Sequence, residues 1–207
     1  DLRMSRGLGD VYKRQVLGYD LIADEMKDKE LSELVKRIGL VEGMPVVTNP
    51  GIIDPEKFAD EVINVRIPNP FMPDTPQRIA TDTSQKVGIR YGETIKSYVA
   101  KDGSARALTA IPLAIAGWCR YLLGIDDNGE AFELSPDPMA DELKCQLDGI
   151  VWGESSSYTG QLKNLLSNAN IFGINLYEAG IGDKIEEMFV EEISGKGAIR
   201  ETLKKYL

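Results

Sequence analysis

Three charged side chains, Arg78, Asp82 and Lys86, follow one another at four-residue spacing. Residues four apart lie on the same face of a helix, so this spacing predicts a stripe in which two cations flank a carboxylate. One interpretation is an exposed salt-bridge ladder, which spacing alone favours because such pairs are common and individually weak. The other is a clamp for substrate oxygens, in which the guanidinium and the ammonium bind an anion or hydroxyl and Asp82 orients them.

The segment before this stripe is rich in proline and predicts where its helix begins. Four prolines between residues 68 and 76 hold the chain extended, because each fixes its own φ and keeps its predecessor out of the α region. Asp74 and Thr75 suit an N-cap, and Pro76 suits a first helical position. We therefore predict a helix that begins near residue 75 and carries Arg78, Asp82 and Lys86 along one face.

The same region carries a resemblance to a known family, in the motifs Arg66-Ile-Pro-Asn69-Pro70, Asp74-Thr75-Pro-Gln-Arg78 and Asp82-Thr-Ser-Gln-Lys86. From Leu17-Gly18-Tyr19 to its end, the chain resembles the C-terminal substrate domain of the mannitol dehydrogenase family, which includes mannitol 2-dehydrogenase and fructuronate reductase. In that family an Arg-Phe-x-Asn-Pro signature precedes an arginine and a lysine that contact substrate oxygens. The resemblance implies that Arg78 and Lys86 bind substrate and that Asp82 and Asn69 support them, which favours the clamp over the ladder.

The resemblance also implies an activity for the protein to which this domain belongs. Members are NAD(P)-dependent oxidoreductases that interconvert a sugar alcohol or hexonate with its ketose or keto-uronate, such as mannitol with fructose or mannonate with fructuronate. NAD or NADP is bound mainly by an N-terminal Rossmann domain, a lysine acts as base, and no metal is needed. The choice of substrate and of NAD or NADP stays open.

The family's catalytic residues are not found in this chain. A Lys-x4-Asn-x2-His motif should stand just before Leu17-Gly18, but residues 1–15 stand there and Lys13 has no matching Asn and His after it. These 15 residues resemble a translated transposon-end adapter, and a natural disordered arm is the alternative. We predict a non-native segment at 1–15, a helical domain at 16–207, no N-terminal Rossmann domain, and no activity for the isolated chain.

Composition narrows the class of protein further. The 207 residues suit one domain, and a net charge of −9 argues against binding to nucleic acid or to an anionic membrane. No apolar run approaches the roughly 20 residues that span a bilayer, and no secretory signal is recognisable. Cys119 and Cys145 are expected to be reduced thiols, so we predict a cytoplasmic protein. The absence of histidine removes Ser-His-Asp and Cys-His catalysis and His-ligated zinc.

The apolar pattern predicts the fold class. Apolar residues recur at three- and four-residue spacing, and almost no segment alternates as a strand would. We predict a mainly α-helical single domain, and the resemblance implies a multi-helical substrate domain like the C-terminal domain of 6-phosphogluconate dehydrogenase. A non-enzymatic helical interaction domain is the rival interpretation, under which the charged stripe is a solvated face.

Local signals predict where individual helices begin and end. A helix from Tyr19 should end at Gly39, and Asp54-Pro55 should begin another, with Phe58, Val62 and Val65 on one face. The helix after Lys86 should be interrupted near Gly88 or Gly92. A buried helix from Ala105 to Gly124 should form the core around Trp118, and Asp137-Pro138 should cap a helix from Met139 to Leu147.

Overall fold

A computed structural model of the chain describes residues 16–19, 22–49, 51–69, 71 and 80–207. Helices dominate this part of the chain, as predicted, and its β pairing is an isolated antiparallel bridge between Ile125 and Ala131. The α-helices are α1 Ile22–Glu25, α2 Lys29–Lys36, α3 Pro55–Glu61, α4 Thr83–Val87, α5 Glu93–Asp102, α6 Ala110–Tyr121, α7 Ala140–Gln146, α8 Lys163–Leu166, α9 Ala169–Phe172, α10 Gly182–Glu192 and α11 Ala198–Tyr206. The π-helical turns Arg37–Gly43, Val62–Arg66 and Gly88–Gly92 extend α2, α3 and α4, and Met44–Val46 and Ser155–Ser157 are 3₁₀ turns.

Helix α6 is the centre of the core. All of its residues are buried, and it packs against α10 and against the last helix, α11. Trp118 is fully buried in α6 and meets the ring of Phe172 in α9 edge to face, with centroids 5.9 Å apart. The predicted core position of Trp118 is confirmed, although the helix is shorter than the predicted 105–124, because residues 106–107 form a turn before it and the helix ends at Tyr121.

The start of α6 is capped from a distant part of the chain. Its N-cap residue, Thr109, makes no side-chain capping bond. Instead the buried carboxylate of Glu42 accepts hydrogen bonds from the backbone N–H groups of Thr109 and Ala110 through Oε1, at 2.6 and 2.7 Å, and of Ile111 through Oε2, at 2.8 Å. A carboxylate at a helix N-terminus satisfies donors that have no partner within the helix and complements the helix dipole. Glu42 therefore fixes the π turn after α2 against the core helix.

Two glycines let α4 and the π turn that follows it lie directly on α9. A Cβ atom at Gly88 would lie 2.0 Å from the carbonyl oxygen of Ile171, and one at Gly92 would lie 2.0 Å from that of Phe172. Both positions fall in the π turn between α4 and α5. The predicted interruption is confirmed in place, but it widens the helix instead of breaking it, because the extra residue per turn brings both glycines onto the packed face.

Two other local predictions are wrong because of the π turns. Gly39 does not end its helix, since the π turn Arg37–Gly43 carries the helix on, and a Cβ at Gly39 would lie 2.9 Å from the side chain of Ile63. Val65 is 60% exposed although Val62 is buried, because the π turn Val62–Arg66 rotates Val65 off the predicted face. The predicted cap of α3 is confirmed, with Asp54 accepting from the N–H groups of Glu56 and Lys57.

The two ends of the described chain are joined by one polar cluster. Asp28 caps α2 through the N–H of Leu31, at 3.2 Å, and its other oxygen accepts from the Tyr19 hydroxyl at 2.6 Å. Arg200 of α11 lies 2.7 Å from the same carboxylate and donates to the Tyr19 hydroxyl at 3.0 Å. The first and last described elements are thereby held on the same side of the core.

Two further predictions concern the state of the cysteines and the presence of helices that could span a membrane. Cys119 is buried, Cys145 is exposed, and both are free thiols, as expected. Of the helices that the structure describes, none combines the length and the apolar character that crossing a bilayer requires.

Replacing Glu42 with alanine should destabilise the 207-residue chain strongly. It would leave three backbone donors without their acceptor, and one buried unsatisfied donor already costs about 1–3 kcal/mol. We expect the free energy of unfolding in urea to fall by about 3 kcal/mol for Glu42→Ala and by about 1 kcal/mol for Glu42→Gln, which keeps one accepting oxygen. Glu201→Ala, whose side chain is 76% exposed, is the matched control and should change it by less than about 0.5 kcal/mol. Equal effects of Glu42→Ala and Glu201→Ala would contradict the capping role.

Gly88→Ala tests the close approach of α4 to α9. The added methyl group would overlap the Ile171 carbonyl, so α9 has to move away, and overpacking of this kind costs about 1–3 kcal/mol. We expect Gly88→Ala to lower the free energy of unfolding by about 2–3 kcal/mol, whereas Ile89→Ala, at a 64% exposed side chain in the same turn, should stay within about 0.5 kcal/mol of the parent. A fully stable Gly88→Ala variant would show that the two helices are not packed in this way.

Candidate functional site

A turn lies immediately before the helix that carries Lys86. Asp82 has φ 55° and ψ 38°, the left-handed conformation, and is the one non-glycine residue with positive φ in the described part of the chain. Its N–H donates to the carbonyl oxygen of Pro136 at 2.9 Å instead of to a preceding helical turn. Aspartate tolerates this conformation better than most residues. Helix α4 therefore begins at Thr83.

This turn corrects the stripe predicted from the sequence. Asp82 does not lie in the helix that carries Lys86, because this left-handed residue stands before the first residue of α4. Arg78 and the predicted helix start near residue 75 lie outside the described residues. Of the predicted site residues, the structure thus brings together Asp82 and Lys86, through a backbone bond of 3.2 Å from the Lys86 N–H to the Asp82 carbonyl oxygen.

The carboxylate that caps α4 comes from Asp137. Although Asp82 occupies the N-cap position, its side chain makes no capping bond. Asp137 Oδ2 accepts from the Ser84 N–H at 2.8 Å and from the Thr83 hydroxyl at 3.1 Å, and Oδ1 accepts from the Ser84 hydroxyl at 2.5 Å. The helix predicted from Met139 to Leu147 is present as α7, Ala140–Gln146, and Asp137 Oδ1 also accepts from the Met139 N–H at 2.9 Å. The N-cap residue of α7 is Met139 and not Asp137.

Two side chains of the core helix α6 bond to the residues that form this cap and to the loop that carries Asp137. Trp118 Nε1 donates to the Thr83 hydroxyl oxygen at 2.9 Å, so Thr83 links the indole to Asp137. The Tyr121 hydroxyl accepts from the Ser135 N–H at 2.8 Å, and the Tyr121 ring stacks on Phe132 with centroids 5.7 Å apart. Two aromatic residues of α6 thereby fix both the first turn of α4 and the 132–137 loop that delivers Asp137.

Lys86 is the half-buried cation of this site. Its ammonium donates to the carbonyl oxygen of Thr81, in the turn before α4. Burial lowers the pKa of Lys86 and the charge of Arg90 lowers it further, whereas the carboxylates of Asp82 and Asp137 act in the opposite direction. A partly desolvated ammonium of this kind binds an anionic or hydroxyl oxygen more strongly than a fully hydrated one does.

Asn69 takes part in a local turn. It is half-buried, and its side-chain oxygen accepts from the N–H of the exposed Phe71 at 2.9 Å. Its supporting role at the substrate site stays a prediction. No group of three or more Cys, Asp and Glu side chains in the described part of the chain is arranged to hold a metal ion.

The sequence predicts Lys86 as a site residue, which stays a prediction, but it does not predict the residues that hold Lys86 in place. Its patterns place Trp118 in the core and Asp137 at a local cap, and they give no signal for Thr83. The Asp-Pro dipeptide did signal a capping carboxylate, but Asp137 and Ser84 are 53 residues apart, a pairing that local spacing does not reveal.

Comparison with known proteins identifies the family. Residues 11–193 match the model of the mannitol dehydrogenase C-terminal domain. The chain is 54% identical over 191 residues to the D-mannonate oxidoreductase of Thermotoga maritima, which covers 92% of this chain and 35% of that protein. It is also 31% identical over 133 residues to a mannitol dehydrogenase of Saccharomyces cerevisiae, with 64% of this chain and 26% of that protein covered.

A solved structure supports the same fold. The mannitol 2-dehydrogenase of Pseudomonas fluorescens, in a ternary complex with NAD and D-mannitol, superposes with a TM-score of 0.81 over 99% of this chain and 39% of its own, at 20% sequence identity. The chain spans about a third of the length of the curated relatives it matches. The chain belongs to the mannitol dehydrogenase family, of which it contains the C-terminal domain.

Proposed function

We propose that this chain is the substrate domain of an NAD(P)-dependent oxidoreductase that interconverts a hexonate with its keto-uronate, most directly D-mannonate with D-fructuronate. The observation that carries the proposal is the half-buried Lys86, fixed at the start of a capped helix in a chain 54% identical to a D-mannonate oxidoreductase. Interconversion of mannitol and fructose is the second candidate, supported by the more distant mannitol dehydrogenases.

Each proposed site residue has a defined role. The Lys86 ammonium donates hydrogen bonds to a substrate oxygen, and the Arg78 guanidinium binds a second oxygen. In a hexonate, that second group is a carboxylate, which an arginine fork can hold through two parallel hydrogen bonds. Asp82 supports Lys86 electrostatically and through the turn that precedes α4, and Asn69 supports the segment that leads to Arg78.

The redox chemistry belongs to parts of the protein that this chain does not contain. Hydride passes between the substrate carbon and a nicotinamide that is held mainly by an N-terminal Rossmann domain, and a lysine of the Lys-x4-Asn-x2-His motif takes the alcohol proton. The NAD complex of the Pseudomonas fluorescens relative supports NAD over NADP. The proposed reaction requires no metal, and the isolated chain should bind substrate oxygens without catalysing turnover.

Two further assignments accompany this proposal. The domain boundary at residue 16 stays a proposal, with residues 1–15 as a non-native segment, although the family match begins at residue 11. A cytoplasmic location, with the protein's own N-terminal domain as its partner and no nucleic acid or membrane, is supported by the acidic charge and the free cysteines.

A chimera tests the function directly. The matched region of the Thermotoga maritima D-mannonate oxidoreductase is replaced by residues 16–207 of this chain, which restores a Rossmann domain and the catalytic motif. We expect NAD(H)-dependent conversion of D-mannonate and D-fructuronate, with a kcat/KM at least tenfold above that for mannitol and fructose. A folded chimera that favours mannitol and fructose would contradict the substrate assignment, and one that acts on neither pair would contradict the function.

Substitution of Arg78 and Lys86 in the chimera tests whether these two cations bind substrate or only form surface ion pairs. We expect Arg78→Ala and Lys86→Ala each to lower kcat/KM by a factor that corresponds to a loss of about 2–4 kcal/mol in transition-state stabilisation, since each removes a charge-assisted hydrogen bond to substrate. Arg78→Ala should penalise D-fructuronate more than fructose, because only the former presents a carboxylate. Arg106→Ala and Lys101→Ala, at exposed positions, are the controls and should leave kcat/KM within twofold of the parent. Unchanged kinetics in both site variants would show that neither cation binds substrate.

A further inference from the structure

We propose that Asp137 is a positioning residue for Lys86: its carboxylate fixes the first turn of α4 and so determines where the Lys86 ammonium meets the substrate. The inference rests on the proposed function, because it requires Lys86 to bind substrate. Asp137 does not itself touch the substrate in this account. It acts through Thr83 and Ser84, which stand three and two residues before Lys86 in the same helix.

The geometry shows why one carboxylate controls this turn. Thr83 and Ser84 are 1% and 2% exposed, so water cannot replace Asp137 as acceptor for their hydroxyls or for the Ser84 N–H. Those three donors and the Met139 N–H all converge on the two oxygens of Asp137. An aspartate oxygen pair can accept four hydrogen bonds, whereas an asparagine in its place offers one accepting oxygen and adds two donors.

In the described part of the chain next to α4, Asp82 is the residue placed to take over from Asp137, and it does not do so. The side chain of Asp82 makes no capping bond, and its left-handed backbone is held by the bond from its N–H to the Pro136 carbonyl oxygen. The same loop thus fixes Asp82 through Pro136 and Ser84 through the neighbouring Asp137. Because Thr81 and Asp82 form the turn to which Lys86 bonds, displacement of the 136–137 segment moves both the ammonium and its acceptor.

The loop is well supported on its other side, so Asp137 serves as a fixed point. The Ser135 N–H bonds to the buried Tyr121, and the Phe132 N–H donates to the Gly124 carbonyl oxygen at 2.8 Å. The Thr83 hydroxyl in turn is held by Trp118. The core helix α6 therefore holds the loop in place, and the loop holds the start of α4.

Asp137 also contributes to the charge state of Lys86. Among the described residues, the charged groups that act on the ammonium include Arg90, which disfavours its protonated form, and Asp82 and Asp137, which favour it. Loss of the Asp137 charge should lower the pKa of Lys86 further. A substrate that needs the protonated ammonium should then lose affinity at a lower pH than in the parent protein.

The test compares Asp137→Asn with Asp141→Asn in the chimera with the Thermotoga maritima N-terminal region. Asp141 is exposed in α7 and is the matched control. We expect Asp137→Asn to raise KM for D-fructuronate at least tenfold while kcat falls less than threefold, and to move the alkaline rise of KM to lower pH. Asp141→Asn should leave KM, kcat and the pH profile unchanged. An Asp137→Asn chimera with parental KM and pH profile would overturn the inference.

A double-mutant cycle with Lys86→Ala separates positioning from general destabilisation. If Asp137 acts through Lys86, Asp137→Asn should raise KM less than twofold in the Lys86→Ala background, whereas a merely structural role predicts the same tenfold increase in both backgrounds. If Asp137→Asn does not fold, as judged by circular dichroism, Ser84→Ala takes its place in the cycle, because it removes one of the four bonds to Asp137. We expect a threefold to tenfold rise in KM that Lys86→Ala again abolishes.

The two proposals fail in different ways. An unchanged KM for Lys86→Ala would overturn the proposed role of Lys86 and this inference with it. A raised KM for Lys86→Ala, together with an additive effect of Asp137→Asn or Ser84→Ala, would leave the proposed function standing and overturn the positioning role alone.

Discussion

The bond between the Asp137 carboxylate and the first turn of α4 is the contact on which the account of the site depends. The first turn of α4 cannot hold itself in place, because its first backbone donors have no partners within the helix. Asp137 supplies the acceptor, and the buried hydroxyls of Thr83 and Ser84 leave it no competition from water. The position of Lys86 follows from where this short helix begins.

The same device occurs at the core helix, where Glu42 caps α6. In both places a carboxylate from a remote segment replaces a cap from the residue just before the helix. Such a cap satisfies buried backbone donors and also joins segments that are far apart in the chain. Glu42 joins the N-terminal helices to α6, and Asp137 joins the loop after α6 to α4. Since Trp118 of α6 also bonds to Thr83, the two caps are connected through the core helix.

Much of the architecture could be predicted from local signals, because apolar periodicity and capping residues report on local structure. The all-helical character, the buried helix around Trp118 and the cap at Asp54 all follow from such signals. The errors arise where non-local contacts override them. Gly39 looks like a helix terminator but serves close packing against Ile63, and Asp82 looks like a helical residue but turns left-handed because its N–H bonds to Pro136. A bonding partner 53 residues away has no local signature, so local signals place Asp137 at the start of α7 and do not show that it also caps α4.

The proposed chemistry demands a cation that is neither fully hydrated nor free to move, and Lys86 meets both demands through burial and through the capped turn beneath it. The most direct measurement is a crystal structure of the Thermotoga maritima chimera with D-mannonate and NAD bound. The account predicts that the Lys86 ammonium and the Arg78 guanidinium lie within hydrogen-bond distance of substrate oxygens, with Asp137 still bound to Ser84. A substrate seated away from Lys86, or a Lys86 side chain directed into bulk solvent, would contradict it.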